Sequence, residues 1–273
     1  MEFYNQAFQK KGKVIMEAIK LWDDAPGYVE GSEIPTLEYY KAEECRADGT
    51  VIICPGGGYG RRAPHEGEGY AKFLNSIGMN CFVLEYRVAP NRFPIPLLDA
   101  RRAIRYVRAN AEKFGIDPGK IAIMGSSAGG HLAATAATYT LPIAGEGKDE
   151  IDKVDFLPNA QILCYPVTDY ESHNGSYINL LGQSLAGVDK LNPIRNVTPK
   201  TPPAFIWHTE TDALVKVEST LKYVAALHTQ NVRCELHVYP EGYHGLGLAE
   251  KFPSVARWSG DLAFWLKHIG FIQ

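Results

Sequence analysis

Long apolar runs are missing from this 273-residue chain: no stretch reaches bilayer-spanning length, and Met1–Lys20 holds no apolar segment long enough for a signal peptide. A membrane protein is therefore not expected, and a cytoplasmic location is. Cysteine is scarce, with Cys45, Cys54, Cys81, Cys164 and Cys234 widely spaced, odd in number and without a CxxC. This argues against a disulfide framework or a zinc site; three of the five lie in apolar runs, which suits small hydrophobes in a reducing compartment. Neither sign of charge dominates, since 28 Lys+Arg face 31 Asp+Glu for a formal net charge of −3. Such a balance leaves no electrostatic footprint for nucleic acid or an anionic membrane surface. A small molecule is the expected partner, and a homo-oligomer stays open. Repeats, low-complexity tracts and linkers are missing too, so one domain over 1–273 is the expectation.

What is present is alternation. Short apolar runs begin at Val51, Cys81, Ile121, Ala160, Ala204 and Leu236, and most are uninterrupted by polar residues. They read as strands covered on both faces, the mark of a parallel sheet. Between them, apolar residues recur at helical steps: Tyr70, Phe73, Leu74 and Ile77; Ile104, Val107, Ala111 and Phe114; Val255, Trp258, Leu262, Trp265, Leu266 and Ile269. The pattern predicts an α/β fold with a mostly parallel, doubly wound sheet. Two stretches break the rhythm. Residues 24–49 carry Pro26, Gly27, Gly31 and Pro35 before an expected antiparallel strand at Leu37–Lys41. Residues 166–203, punctuated by five prolines, are too long for a simple connection and read as a small cap inserted over the carboxyl ends of the strands.

The run Gly125-Ser126-Ser127-Ala128-Gly129 is a Gly-x-Ser-x-Gly pattern set between an apolar strand and an Ala-rich helical segment. That strand-turn-helix context is what a nucleophile elbow requires, with glycines where side chains would collide with strand and helix. A serine hydroxyl needs a base and an orienting carboxylate. Asp212 follows the strand at 204–207 and His244 follows the strand that ends at Tyr239. Ser127, Asp212, His244 is the chain order of an α/β-hydrolase triad. Glu210 is a weaker orienter, and His131, one helical turn past Ser127, reads as a packed elbow residue. His65, His173, His208, His228 and His268 are less well placed as bases. Gly56-Gly57-Gly58, directly after the first apolar strand, can turn bare N–H groups toward a developing oxyanion; the phosphate-cradling alternative lacks the Lys-Ser/Thr that should follow.

These residues resemble the α/β-hydrolase carboxylesterases of the hormone-sensitive-lipase-like type. The likeness rests on Pro55–Gly58, Glu85–Pro90, Pro94–Asp99, Gly125–Gly130, Tyr165-Pro166, Asp212 and His244-Gly245. Pro-Gly-Gly-Gly-Tyr at 55–59, followed by Arg61 and the His65–Glu68 stretch, is similar to the bacterial xylan and sugar-ester esterase branch. The resemblance implies Ser127 as nucleophile, His244 as base and acid, and Asp212 as orienter. It further implies an oxyanion hole from the Gly57, Gly58 and Ala128 N–H groups, a structural role for Asp99, and no metal or organic cofactor. Pro55 stands where many relatives carry His, and Thr209 where many carry Gly.

Three residues are candidates for substrate contact: Tyr59 and Tyr243, for which aromatic packing is the alternative, and Asp169, from the rim. Arg101, Arg102, Arg105 and Arg108 read as a solvated helix face. The expected activity is hydrolysis of carboxylic esters of small soluble compounds, with a short acyl group such as acetyl on a sugar. Amide cleavage by an aryl-formamidase or peptidase uses the same groups, and a non-catalytic binding relative is the alternative from another class.

Overall fold

The structure, a computed structural model, describes residues 15–28 and 32–273. The signal-peptide reading of the first 14 residues, and Gly31 in the leading loop, lie outside the described residues.

Among the described residues eight strands form one sheet: β1 (Ile15–Lys20), β2 (Thr36–Lys41), β3 (Thr50–Cys54), β4 (Cys81–Glu85), β5 (Ile121–Ser126), β6 (Ala160–Cys164), β7 (Ala204–Thr209) and β8 (Cys234–Tyr239). Their order is β1-β2-β4-β3-β5-β6-β7-β8. The expected α/β-hydrolase architecture is borne out: β3 to β8 run parallel, and β2 pairs antiparallel with both β1 and β4. Strand β1 is not among the expected runs, because Ile15–Lys20 holds no continuous apolar stretch.

The helices are α1 (Glu68–Ser76), α2 (Ile95–Ala109), α3 (Ala111–Phe114), α4 (Ser127–Thr138), α5 (Asn174–Leu181), α6 (Pro193–Asn196), α7 (Val217–Thr229), α8 (Pro253–Ala256) and α9 (Trp258–His268). Successive strand side chains point to opposite faces, so β3 sends Ile52 into one core and Val51 and Ile53 into another. The first core takes Ile104 of α2, Leu132 of α4 and Leu227 of α7; the second takes Leu74 of α1 and Leu262 of α9. Trp258 stacks on Trp207 of β7 with ring centroids 5.0 Å apart. Both faces of the central strands are thus covered, which is why their sequences are apolar throughout.

The basic run on α2 departs from expectation. Arg101, Arg102 and Arg105 are buried, not solvated. Glu146 accepts from Arg101 and Arg105, Asp149 and Asp152 from Arg102, and the Tyr139 carbonyl from Arg101. Arg108 is held by the carbonyls of Pro118, Asp155 and Leu157. Phe156 lies under the Arg101 guanidinium at 3.9 Å. The guanidinium forks bind the acidic 146–152 loop to the helix, a use that planar, multi-donor Arg serves better than Lys.

Residues 166–203 join β6 to β7 and contain α5, a 3-10 turn at Val188–Leu191, and α6. Asn179 of α5 donates to the Gly58 carbonyl at 2.9 Å, so this segment rests on the glycine loop that follows β3.

Candidate active site

Because β3, β5, β7 and β8 are parallel, the loops at their carboxyl ends gather on one edge of the sheet. Ser127 begins α4 directly after β5 with φ of +52°, a left-handed conformation that non-glycine residues seldom adopt. Such strain is characteristic of the strand-to-helix elbow. The turn closes only because Gly125 and Gly129 lack side chains: a Cβ at Gly125 would stand 2.1 Å from the Gly129 carbonyl oxygen, and one at Gly129 2.0 Å from the Cys54 carbonyl oxygen.

The His244 Nε2 atom lies 2.7 Å from the Ser127 hydroxyl, and its Nδ1 lies 2.6 Å from Asp212 Oδ2. The other Asp212 oxygen accepts the Leu214 and Val215 N–H groups at 2.9 and 3.0 Å. Burial alone would raise the Asp212 carboxyl, but hydrogen bonds from His208 and His244 and the charge of His244 outweigh it and hold this group well below the usual carboxylate range. Glu210, the weaker alternative, is exposed and makes none of these contacts.

Gly57 and Gly58 follow β3 with φ of +126° and +66°. Among the described residues neither N–H finds an acceptor. Ala128 lies in the first turn of α4, where backbone N–H groups have no partner within the helix and the helix dipole is positive. The structure therefore brings Ser127, Asp212, His244 and the glycine loop to one place. The arrangement sets an imidazole against the serine hydroxyl and a carboxylate against the imidazole, with Gly56 of the glycine loop packed against Ser127.

The BD-FAE family model matches residues 37–227, well over half of the chain. The chain belongs to the BD-FAE family. The expected likeness to the α/β-hydrolase carboxylesterases is borne out by its relatives. Over 231 residues it is 34% identical to an acetylxylan esterase of Xylanibacter ruminicola, covering 80% of this chain and 45% of that protein. Over 236 residues it is 35% identical to endo-1,4-beta-xylanase B of Butyrivibrio fibrisolvens, covering 83% of this chain and 37% of that protein. The chain thus spans less than half the length of these two curated relatives. Among solved structures it is similar to an acetyl ester-xyloside bifunctional hydrolase from Caldicellulosiruptor lactoaceticus, with a TM-score of 0.89, 41% identity, and coverage of 94% of this chain and 97% of that one.

In this BD-FAE chain the remaining site candidates fall differently from one another. Tyr59 is 1% exposed and its hydroxyl lies 2.7 Å from His131 Nδ1. The ring is in the core, which is the packing alternative, and the backbone at Tyr59 has φ of +58°. Asp169 is buried, with its carboxylate accepting the Ser172 N–H at 2.7 Å and facing Lys222 at 3.5 Å, so it braces its own loop. Tyr243 is 59% exposed against Phe252 and lines a surface groove of about 400 Å³ with Pro64, His65, Lys72 and Leu246; neither Ser127 nor His244 lines it.

Two supporting residues escaped the sequence reading. His208 is buried; its Nε2–H donates to the Val215 carbonyl at 2.8 Å and lies 3.3 Å from Asp212, while its Nδ1 accepts from Thr220. Glu66, 2% exposed, accepts the Gly56 N–H at 2.8 Å and the Tyr165 hydroxyl at 2.7 Å. The Tyr165 oxygen accepts the Gly247 N–H at 3.0 Å, and its ring meets His244 edge-on at 5.1 Å. Tyr70 extends the chain from Tyr165 to Ser126 at 3.1 and 2.9 Å. One carboxylate thereby ties together the glycine loop, the His244 loop and the elbow.

Proposed function

We propose that this chain is a serine esterase that cleaves short-acyl carboxylic esters of small soluble compounds, acetylated sugars foremost. Ser127 Oγ attacks the ester carbonyl while His244 takes its proton, and Asp212 stabilises the imidazolium. The tetrahedral oxygen is held by the Gly57, Gly58 and Ala128 N–H groups. His244 then protonates the departing alcohol, and water attacks the acyl-serine by the same route to release the acid. Every proton passes through His244, so neither a metal nor an organic cofactor is required by the scheme. Each prearranged donor to the oxyanion contributes about 3 kcal/mol to the barrier reduction.

The observation that carries this reading is the unbroken chain Asp212 Oδ2–His244 Nδ1 and His244 Nε2–Ser127 Oγ, at 2.6 and 2.7 Å, on a serine held at φ of +52°. The sugar-acetate preference draws on the names of the relatives: an acetylxylan esterase and an acetyl ester-xyloside hydrolase. The unit is read as one α/β-hydrolase domain with residues 166–203 as its cap. A reducing, cytoplasmic setting accords with the five free cysteines. Among the described residues no helix is long and apolar enough to cross a membrane.

The test is a substrate panel of acetylated xylosides, p-nitrophenyl esters of increasing acyl length, and an N-formyl aryl amide. The reading expects the highest kcat/KM on acetyl esters. Preference for long, water-insoluble acyl chains, or for the amide, contradicts it.

A further inference from the structure

His173 stands at the start of the cap, immediately before α5. Its Nδ1 accepts the Ser176 N–H at 3.2 Å and faces the Ser176 hydroxyl at 2.8 Å, making the imidazole the N-cap of α5. A backbone N–H can only donate, so Nδ1 is the unprotonated nitrogen and Nε2 carries the hydrogen. That leaves Nε2–H as a donor with no acceptor among the described residues.

The ring is half-buried, and its Cε1 edge, next to Nε2, lies 4.0 Å from the point where a side chain on Gly58 would begin. Asn179, two turns along the same helix, donates to the Gly58 carbonyl and fixes α5 against the glycine loop. Burial and then the neighbouring His244 lower the His173 pKa, against a smaller opposing pull from Asp212. The neutral imidazole is thus favoured, with Nδ1 engaged as an acceptor at the helix start and Nε2 carrying the hydrogen.

We infer that His173 is a specificity-determining residue whose Nε2–H donates to a hydroxyl or ether oxygen on the alcohol portion of the ester. The inference rests on the serine-esterase reading. An acetyl ester offers the active site two oxygens at its reacting centre. The carbonyl oxygen is met by the glycine-loop and elbow N–H groups, and the leaving oxygen by His244. A third donor, on a ring held by a helix cap with its Cε1 beside the glycine loop, has an acceptor only if the alcohol carries further oxygens. A sugar does, and a phenol does not.

The experiment exploits the cap. In His173→Asn the shorter side chain still accepts the Ser176 N–H, since Asn is among the best N-cap residues, while the ring donor is gone. His173→Ser does the same with a hydroxyl, and thermal melts report whether each variant is folded. We compare kcat/KM on a monoacetylated methyl xyloside and on phenyl acetate. Both variants should lose about tenfold on the xyloside, chiefly through KM, and stay within about twofold of wild type on phenyl acetate, as removal of a single neutral hydrogen bond predicts. Equal losses on both esters, or no loss on either by a folded variant, overturn the role of His173 alone. A wild type that hydrolyses neither ester overturns the esterase reading and this inference with it.

Discussion

At the scale of single residues, the network centred on Glu66 makes the sharpest claim. Its two oxygens hold Gly56 on one side and Tyr165 on the other, and Tyr165 in turn holds Gly247, three residues after His244. Removing the carboxylate leaves a buried N–H and a buried hydroxyl short of a partner and lets the glycine loop drift from the geometry an oxyanion needs. Glu66→Ala should lower kcat by about a hundredfold with little change in KM, comparable to loss of one oxyanion donor. Glu66→Gln should restore most of it, because the amide oxygen accepts from Gly56 and the amide N–H donates to the Tyr165 oxygen. A purely structural Glu66 would instead lower the melting temperature of the alanine variant and leave kcat intact below it. Glu66 was not legible as a supporting residue in the sequence: its partners are 10 and 99 positions away, and nothing local announces them. His208 gives a fainter signal, four residues before Asp212, and its position in the sequence suggests only a poorly placed base. Ser127, Asp212 and His244 were legible because each follows an apolar strand in the order that the chemistry requires.

At the scale of elements, the central strands were readable for a physical reason. Covered on both sides, β3, β5, β6 and β7 are apolar or small nearly throughout and end in glycine- or acid-bearing loops. The edge strand β1 carries no such run, and α2 shows how periodicity alone misleads. Its arginines recur at helical spacing like a solvated face, yet their acceptors Glu146, Asp149 and Asp152 arrive from a loop some 40 to 50 residues downstream. A nearby anchor of the same helix is the pair Arg87–Asp99, fully buried, with three guanidinium contacts of 2.6, 3.0 and 3.2 Å and the Arg87 N–H at 2.9 Å. Arg87 also donates to the Pro26 carbonyl, so the leading loop is bound to the same point. Asp99→Ala strands a buried guanidinium and should destabilise the fold by about 3–5 kcal/mol, measured by urea denaturation. A loss below about 1 kcal/mol would mean that the ion pair is not what holds α2 to the sheet.

At the scale of the whole molecule, acid stability depends on His131, where three parts of the fold converge. Its Nε2–H donates to the Leu191 carbonyl of the cap, and its Nδ1 accepts from Tyr59 of the glycine loop. Burial outweighs the help of the Leu191 carbonyl and pushes this imidazole down to about 4. An exposed histidine in the unfolded chain titrates near 6.5, so between about pH 6.5 and about pH 4 the unfolded state binds a proton that the folded state refuses. The contribution of His131 to stability must then fall as pH falls across that window, by up to about 3 kcal/mol, while Asp99, raised by burial to about 6, works in the opposite direction below that pH. Asp212, held low in the fold, adds a further loss only below about pH 4. Urea melts at about pH 7 and about pH 4.5 should show a shallower pH slope for His131→Asn than for wild type; identical slopes would remove His131 from this role.

The central claim is that Ser127 is a nucleophile activated by His244. A fluorophosphonate reacts far faster with such a serine than with an ordinary hydroxyl, and peptide mass spectrometry locates its adduct. The account predicts a single stoichiometric adduct on Ser127, abolished in Ser127→Ala and reduced to background in His244→Ala. Folded wild-type protein that takes up no label, or takes it up on another residue, would contradict it.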